Sequence, residues 1–221
     1  MKNITSSFKN IRLIPQNNKE YQKYCFDKKQ EKKINKGETV PDKKMYVGKW
    51  LEKAIISELS EFHTFSEKNI IRWESVNSSQ RIYTCFKELD GVMDLSNTSV
   101  ATIEIKGSFS KSSIKDGLVQ TKNAELLLKR VYKTVSQILI FADCRTIDSD
   151  FGYASSVVID TLFEDKDFFI SDNLIILKGE ILEKKICIFL DEHEVSKFIQ
   201  KYGNPYEDLI DRDFLKSQMD L

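Results

Sequence analysis

Asp90, Glu104 and Lys106 are the residues whose types and spacing could carry chemistry: two carboxylates and an ammonium group within seventeen positions. In an extended strand, residues two apart project from the same face, so Glu104 and Lys106 stand side by side while Ile103 and Ile105 point into a core. Glu88 and Asp90 likewise share a face of the preceding extended segment, which ends just before Gly91, and antiparallel pairing would bring Asp90 close to Glu104. Carboxylate oxygens so placed hold a hard divalent cation that keeps several waters and engages a phosphate. The cation acidifies a bound water and offsets charge on the scissile group. A neighbouring lysine orients that water or neutralises the transition state. The triplet alone is not distinctive, because five other acid-x-Lys triplets begin at Asp27, Glu31, Asp42, Glu164 and Glu183. Context separates Glu104 from them: an alternating strand, a preceding strand ending in Glu-Leu-Asp, and a helix–strand unit after it.

The elements that must position these groups follow from periodicity. Apolar residues at 47, 50, 51, 54, 55, 59 and 62 make the stripe of an amphipathic helix over Val47 to Phe62. An extended piece follows from Asn69 to Val76. The segments 81–92 and 99–108 then read as two strands of a hairpin, with a short polar connection from Asp94 to Thr98. A Ser/Lys loop leads to a helix from about Ile114 to Lys133, with Leu118, Val119, Leu126, Leu127 and Val131 as core contacts. Residues 136–143, SQILIFAD, carry the apolar run Ile138 to Ala142 expected of a buried central strand. Beyond it, ASSVVID and NLIILKGEILEKKICIFLD read as further strands with Gly179 in or near a turn. EHEVSKFIQKYG reads as a short helix ending at Gly203, and the acidic tail has room for a last helical turn or two. Residues 1–45, lysine-rich and poor in aliphatics, are expected to be short helical or irregular structure. With no internal repeat or low-complexity linker, 1–221 reads as a single domain: a core at 46–143, a basic N-terminal decoration at 1–45 and an acidic extension at 144–221.

The order of elements and the placement of Asp90 and Glu104-Ile105-Lys106 resemble the PD-(D/E)xK phosphodiesterase superfamily, and within it the Holliday-junction-resolvase-like and RecB-like nucleases. The resemblance covers residues 46–143, and Glu-Leu-Asp stands here where the motif's name has Pro-Asp. It implies an α/β fold with a restriction-endonuclease-like α-β-β-β-α-β core, a central mixed sheet flanked by helices. It also implies Mg²⁺ or Mn²⁺ held by Asp90, Glu104 and the Ile105 carbonyl, with Lys106 as the catalytic cation. Many members carry Gly-x-x-x-Glu in the first helix, and Gly48 to Glu52 fits that spacing, which makes Glu52 a candidate second-site or metal-water ligand. On a helical wheel, however, Glu52 falls at the margin of the apolar stripe and Glu58 near its centre, where a carboxylate needs a partner or a metal. Glu52 is thus favoured by motif and Glu58 by geometry. Gln120 partly matches the Gln-x-x-x-Tyr of RecB-like members, with Ala124 in place of the tyrosine, and takes a supporting role. Lys111, Lys115, Lys122, Lys129, Arg130 and Lys133 offer phosphate contacts on the loop and helix beyond the motif.

Composition agrees with a folded chain of ordinary balance, 41% hydrophobic and 31% charged. No stretch approaches the length of apolar chain needed to span a bilayer, and the N-terminus has no continuous apolar region of a signal peptide, so a cytoplasmic location without a membrane is expected. The zero net charge is a cancellation: residues 1–53 carry 14 Lys and Arg against 6 Asp and Glu, and residues 143–221 carry 9 against 18. A polyanion would be drawn to the N-terminal third and repelled by the C-terminal one. Cys25, Cys85, Cys144 and Cys187 are too scattered for a zinc knuckle, and His63 and His193 have no partner motif. The resemblance implies hydrolysis of DNA, as an endonuclease rather than a processive exonuclease since no helicase or ATPase motif is present, and it admits a homodimer. Two alternatives stand beside it. One is a nuclease-fold module without turnover that binds nucleic acid or a protein. The other is an unrelated α/β domain in which Asp90 and Glu104 fail to converge.

Overall fold

The computed structural model describes residues 8–36, 43–76, 79–164, 167–181 and 184–206, with the side chains of all but 32–36 and 43. Its strands form two sheets. A three-stranded antiparallel sheet has the order β1 (Phe8–Ile14), β2 (Ile70–Val76), β3 (Ile82–Glu88). A five-stranded mixed sheet joins β4 (Gly91–Ser96), β5 (Ser99–Lys106), β6 (Thr134–Ala142), β7 (Phe169–Ser171) and β8 (Lys185–Leu190) in the order β4-β5-β6-β8-β7. Only the β4–β5 pair is antiparallel in that sheet. The protein is thus mixed α/β, with a central mixed sheet flanked by helices.

Helix α2 (Lys43–Leu59) covers one face of the five-stranded sheet. Val47, Leu51, Ala54, Ile55 and Leu59 pack with Ala101, Ile103, Ile105, Ile138 and Ile140, and Val195 and Phe198 of α5 (Glu192–Tyr202) complete that layer. Phe62, placed in the stripe by the sequence, lies beyond the helix end and is exposed. Helix α3 (Lys111–Leu128) covers the opposite face, where Val100, Leu139 and Phe141 point. Every residue of β6 is buried, as its apolar run demands.

Several elements differ from expectation. Residues 81–92 are not one strand: the chain breaks at Leu89 and Asp90, so β3 belongs to one sheet and β4 to the other. The hairpin with β5 turns at Asn97 and Thr98, two residues rather than the five expected. Helix α3 starts at Lys111, with the Ser110 hydroxyl accepting from the Ser113 N–H, and it ends at Leu128. Its buried stripe is Ile114, Gly117, Thr121, Ala124, Leu127 and Leu128. The small residues in that stripe let the helix lie close to the sheet, since a Cβ on Gly117 would sit 2.9 Å from a Leu139 methyl. Val119, Leu126 and Val131 are accordingly exposed.

ASSVVID forms a helix, α4 (Ser156–Phe163), instead of a strand. Val158, Ile159, Leu162 and Phe163 recur at helical spacing and pack against the layer of Phe109, Leu139 and Phe141. Packing there overrides the β-branched preference. Leu174–Lys178 is a 3₁₀ turn capped by Asn173, and only the second half of that segment is a strand, β8. The short α5 ends as expected at Gly203, whose positive φ of 82° closes the helix. The N-terminal segment holds a strand, β1, and an 18-residue helix, α1 (Lys19–Lys36). The acidic tail from 207 onward lies outside the described residues. No helix among the described residues is long and apolar enough to cross a membrane.

Candidate active site

The break between β3 and β4 builds the site. Leu89 turns inward to pack with Ile71 and Val92, which places Asp90 at the junction of the two sheets. Gly91 must follow, because a Cβ there would lie 2.7 Å from Ile56 and 3.1 Å from Phe65. Glycine therefore allows α2 to approach the strand. Gly91 pairs with Ile103, which brings Asp90 to the level of Glu104 and Ile105. The Ile105 N–H donates to Asp90 Oδ2 at 2.6 Å. Glu104 is buried at 5% exposure, on the α3 face of β5, and Lys106 Nζ donates to its Oε1 at 2.5 Å. The side chain of Ile105 is sealed in the α2 layer.

Electrostatics binds these groups into one cluster. Burial pushes the Asp90 carboxyl up to about 7, and the charges of Glu104 and Glu52 push the same way against the Ile105 N–H and Lys106. Glu52, half-buried on α2, is raised by burial and by Glu88 and Glu104, with Lys106 and Lys49 opposing. Carboxylates outnumber cations here, and the upward push on the Asp90 and Glu52 carboxyls is a sign of missing positive charge. A hard divalent cation fits that deficit. Mg²⁺ is typically held by one or two carboxylates and its own waters, which matches Asp90 and Glu104. Among the described residues no three His, Cys, Asp or Glu side chains form a ready-made cage. The donor set is thus a pair with Glu52 at its margin.

Glu58 goes elsewhere. Six positions after Glu52, it lies about 120° further around the helix. Lys201 Nζ donates to it at 2.6 Å and the Tyr202 hydroxyl at 3.0 Å, and these bonds hold its carboxyl below the usual range. The partner that its place in the apolar stripe required is α5. Glu58→Ala is expected to leave any activity of the Asp90 cluster unchanged. It should cost about 1 kcal/mol or less, because the ion pair is largely exposed; urea unfolding checks the second point, and a loss of activity at unchanged stability would return Glu58 to the site.

Gln120 lies on α3, the helix packed over the face from which Glu104 projects, and its Oε1 is buried without a hydrogen-bond partner among the described residues. The six cations beyond the motif are all exposed. Lys129 is paired with Glu125, and Arg130 with the Phe8 carbonyl and ring. His63 meets the Leu177 carbonyl. All four cysteines are free, Cys144 and Cys187 buried, Cys25 and Cys85 half-buried.

The cover that the N-terminal segment lays over Glu88 had no signal in the sequence. Glu88 is exposed at the rim, and the N-terminal segment holds both of its oxygens: Gln16 Nε2 donates to one at 3.0 Å and the Tyr21 hydroxyl to the other at 3.1 Å. These contacts span more than sixty residues, so no local pattern announces them. No protein-family model matches the chain, and no curated protein matches its sequence.

Proposed function

We propose that the protein is a metal-dependent phosphodiesterase with a PD-(D/E)xK-type, restriction-endonuclease-like core, cutting DNA internally. The observation that carries this reading is the convergence of Asp90, from the broken strand, with Glu104 and Lys106 of β5 in a cluster where carboxylate charge exceeds cationic charge. Asp90 and Glu104, with the Ile105 carbonyl and Glu52 as further donors, would hold Mg²⁺ or Mn²⁺. The cation supplies an acidified water and offsets charge on the phosphate. Lys106 lies beside Glu104, where its ammonium orients the attacking water or neutralises charge building on the phosphate oxygens. Ile105 fixes Asp90 through its N–H, and Gln120 offers a buried side-chain oxygen that has no partner among the described residues. Exposed Lys111, Lys115 and Lys122 lie on the following helix and Lys133 in the turn after it, and they provide phosphate contacts.

The test is incubation of plasmid, linear, branched and single-stranded DNA with the wild type and with Glu104→Gln, in Mg²⁺, Mn²⁺ or EDTA. Metal-dependent cutting by the wild type and its loss in the isosteric variant are expected. A folded, metal-supplied wild type that cuts none of these would move the protein to the class of binding modules that keep the fold without turnover.

A further inference from the structure

Helix α1 meets the rest of the protein at the rim of the carboxylate cluster. The Asn18 side chain accepts from the N–H groups of Glu20 and Tyr21 and starts the helix there. Glu20 pairs with Arg72 at 3.2 Å, and the Tyr21 hydroxyl donates to Glu88, two residues before Asp90. The rings of Tyr21 and Tyr24 pack on Phe86 with centroids 5.5 and 5.0 Å away. From Phe26 to Glu31 every side chain is exposed. The helix carries seven lysines against three acidic residues. Lys28 pairs with Glu31, whereas Lys19, Lys23 and Lys29 have no ion pair among the described residues.

We propose that α1 is an arm that follows the sugar–phosphate backbone of duplex DNA flanking the phosphate held at Asp90, Glu104 and Lys106. This rests on reading that cluster as a DNA site and adds the kind of substrate it takes. Anchoring at one end and exposure beyond it suit an element that reaches along a ligand. Its charge is complementary to a polyanion. The tyrosines of the helix are spent on Phe86, leaving Phe26 as the exposed ring, and one ring is too few for the stacking platform that single strands require. Lysines at the surface address phosphates and not bases. An 18-residue helix spans about 27 Å, which matches roughly eight base pairs of duplex. The substrate therefore extends as a duplex by about that length to one side of the scissile phosphate.

Fluorescence anisotropy in EDTA, where nothing is cut, tests the arm with the wild type and with Lys19→Gln/Lys23→Gln/Lys29→Gln. The probes are a duplex of about 30 base pairs, a hairpin-closed duplex of about 6, and a single strand as long as the first, chosen to exceed or fall short of the arm's reach of roughly eight base pairs. At about 0.1 M salt the triple variant should bind the long duplex about tenfold or more weakly than the wild type, and its plot of log affinity against log salt should be shallower by about 2.7, the share of three phosphate contacts. On the short duplex the two proteins should bind within a factor of about two. Equal affinity and slope of the two proteins on the long duplex would overturn the arm, as would wild-type binding to the single strand as tight as to the long duplex. Binding is read without turnover, so a length effect that survives in a protein that cuts nothing would remove the nuclease reading and keep the arm. Cutting without the length effect would do the reverse.

Discussion

Lys106→Ala is expected to lower DNA cleavage by about 10²- to 10³-fold or more while the protein still binds Mg²⁺ or Mn²⁺. The size follows from removing one preorganised charge aimed at the developing negative charge of the transition state. The split between turnover and metal binding follows from position. Lys106 donates to Glu104 Oε1 and contributes no metal-binding atom of its own, whereas Asp90 and Glu104 carry the oxygens. The substitution also leaves Glu104, 5% exposed, without its cation, which costs stability that bound metal offsets. Calorimetric titration of the variant with Mn²⁺, beside single-turnover cleavage, separates the two. Loss of metal affinity along with cleavage would make Lys106 a structural counterion rather than a catalytic group.

Asp90→Asn is expected to make the metal-free protein more stable at neutral pH. The carboxyl of Asp90 is raised from 3.8 to about 7, so the native state holds its proton more tightly than the unfolded chain does. Below about pH 4 both states are protonated and the group is neutral in its effect; between about pH 4 and 7 the unfolded chain gives up its proton first and stability falls, and above 7 the loss is complete. Ionised Asp90 thus works against the fold, and asparagine removes that charge while its side-chain oxygen still accepts the Ile105 N–H. The gain should be up to about 4 kcal/mol, or a Tm rise of up to roughly 8–16 °C, measured in EDTA at pH 7.5 and absent near pH 4. Added Mg²⁺ should stabilise the wild type by mass action and the variant much less. A variant less stable than the wild type at pH 7.5, or equally stabilised by Mg²⁺, would remove Asp90 from the charge cluster.

How much of this was legible in the sequence varies by element. The alternation of β5 and the unbroken apolar run of β6 announce themselves, because buried strands at the centre of a sheet leave their period in the chain. The broken strand does not. RIYTCFKELDGV is continuous in β-propensity, and its division is decided by Leu89 turning onto Ile71 and by the close approach of α2 to Gly91, contacts between residues distant in sequence. β1 is hidden for another reason: Lys9, Asn10 and Arg12 are polar, the strand is irregular between Lys9 and Arg12, and Asn10 adopts a positive φ of 52°. At α4 the β-branched run SVVI suggested a strand, although the helical spacing of Val158, Ile159, Leu162 and Phe163 was present. In the site, Asp90, Glu104 and Lys106 were legible because one hairpin supplies all three. The choice between Glu52 and Glu58 was not, since it depends on Lys201 and Tyr202 of α5. Nor was the rim at Glu88, which needs Gln16 and Tyr21.

The order of strands in the central sheet also bears on how the chain is made. β6 lies between β5 and β8, yet β8 comes last of the three in the chain. At a synthesis rate of about 5–20 residues per second, one edge of β6 emerges from the ribosome roughly two to nine seconds before the strand that covers it. During that interval a strand with the apolar run Ile138 to Ala142 has an open edge, the feature that invites pairing with other chains. Residues 46–143, which hold the motif hairpin, therefore depend on a later segment, Lys185 to Leu190, for protection of that edge.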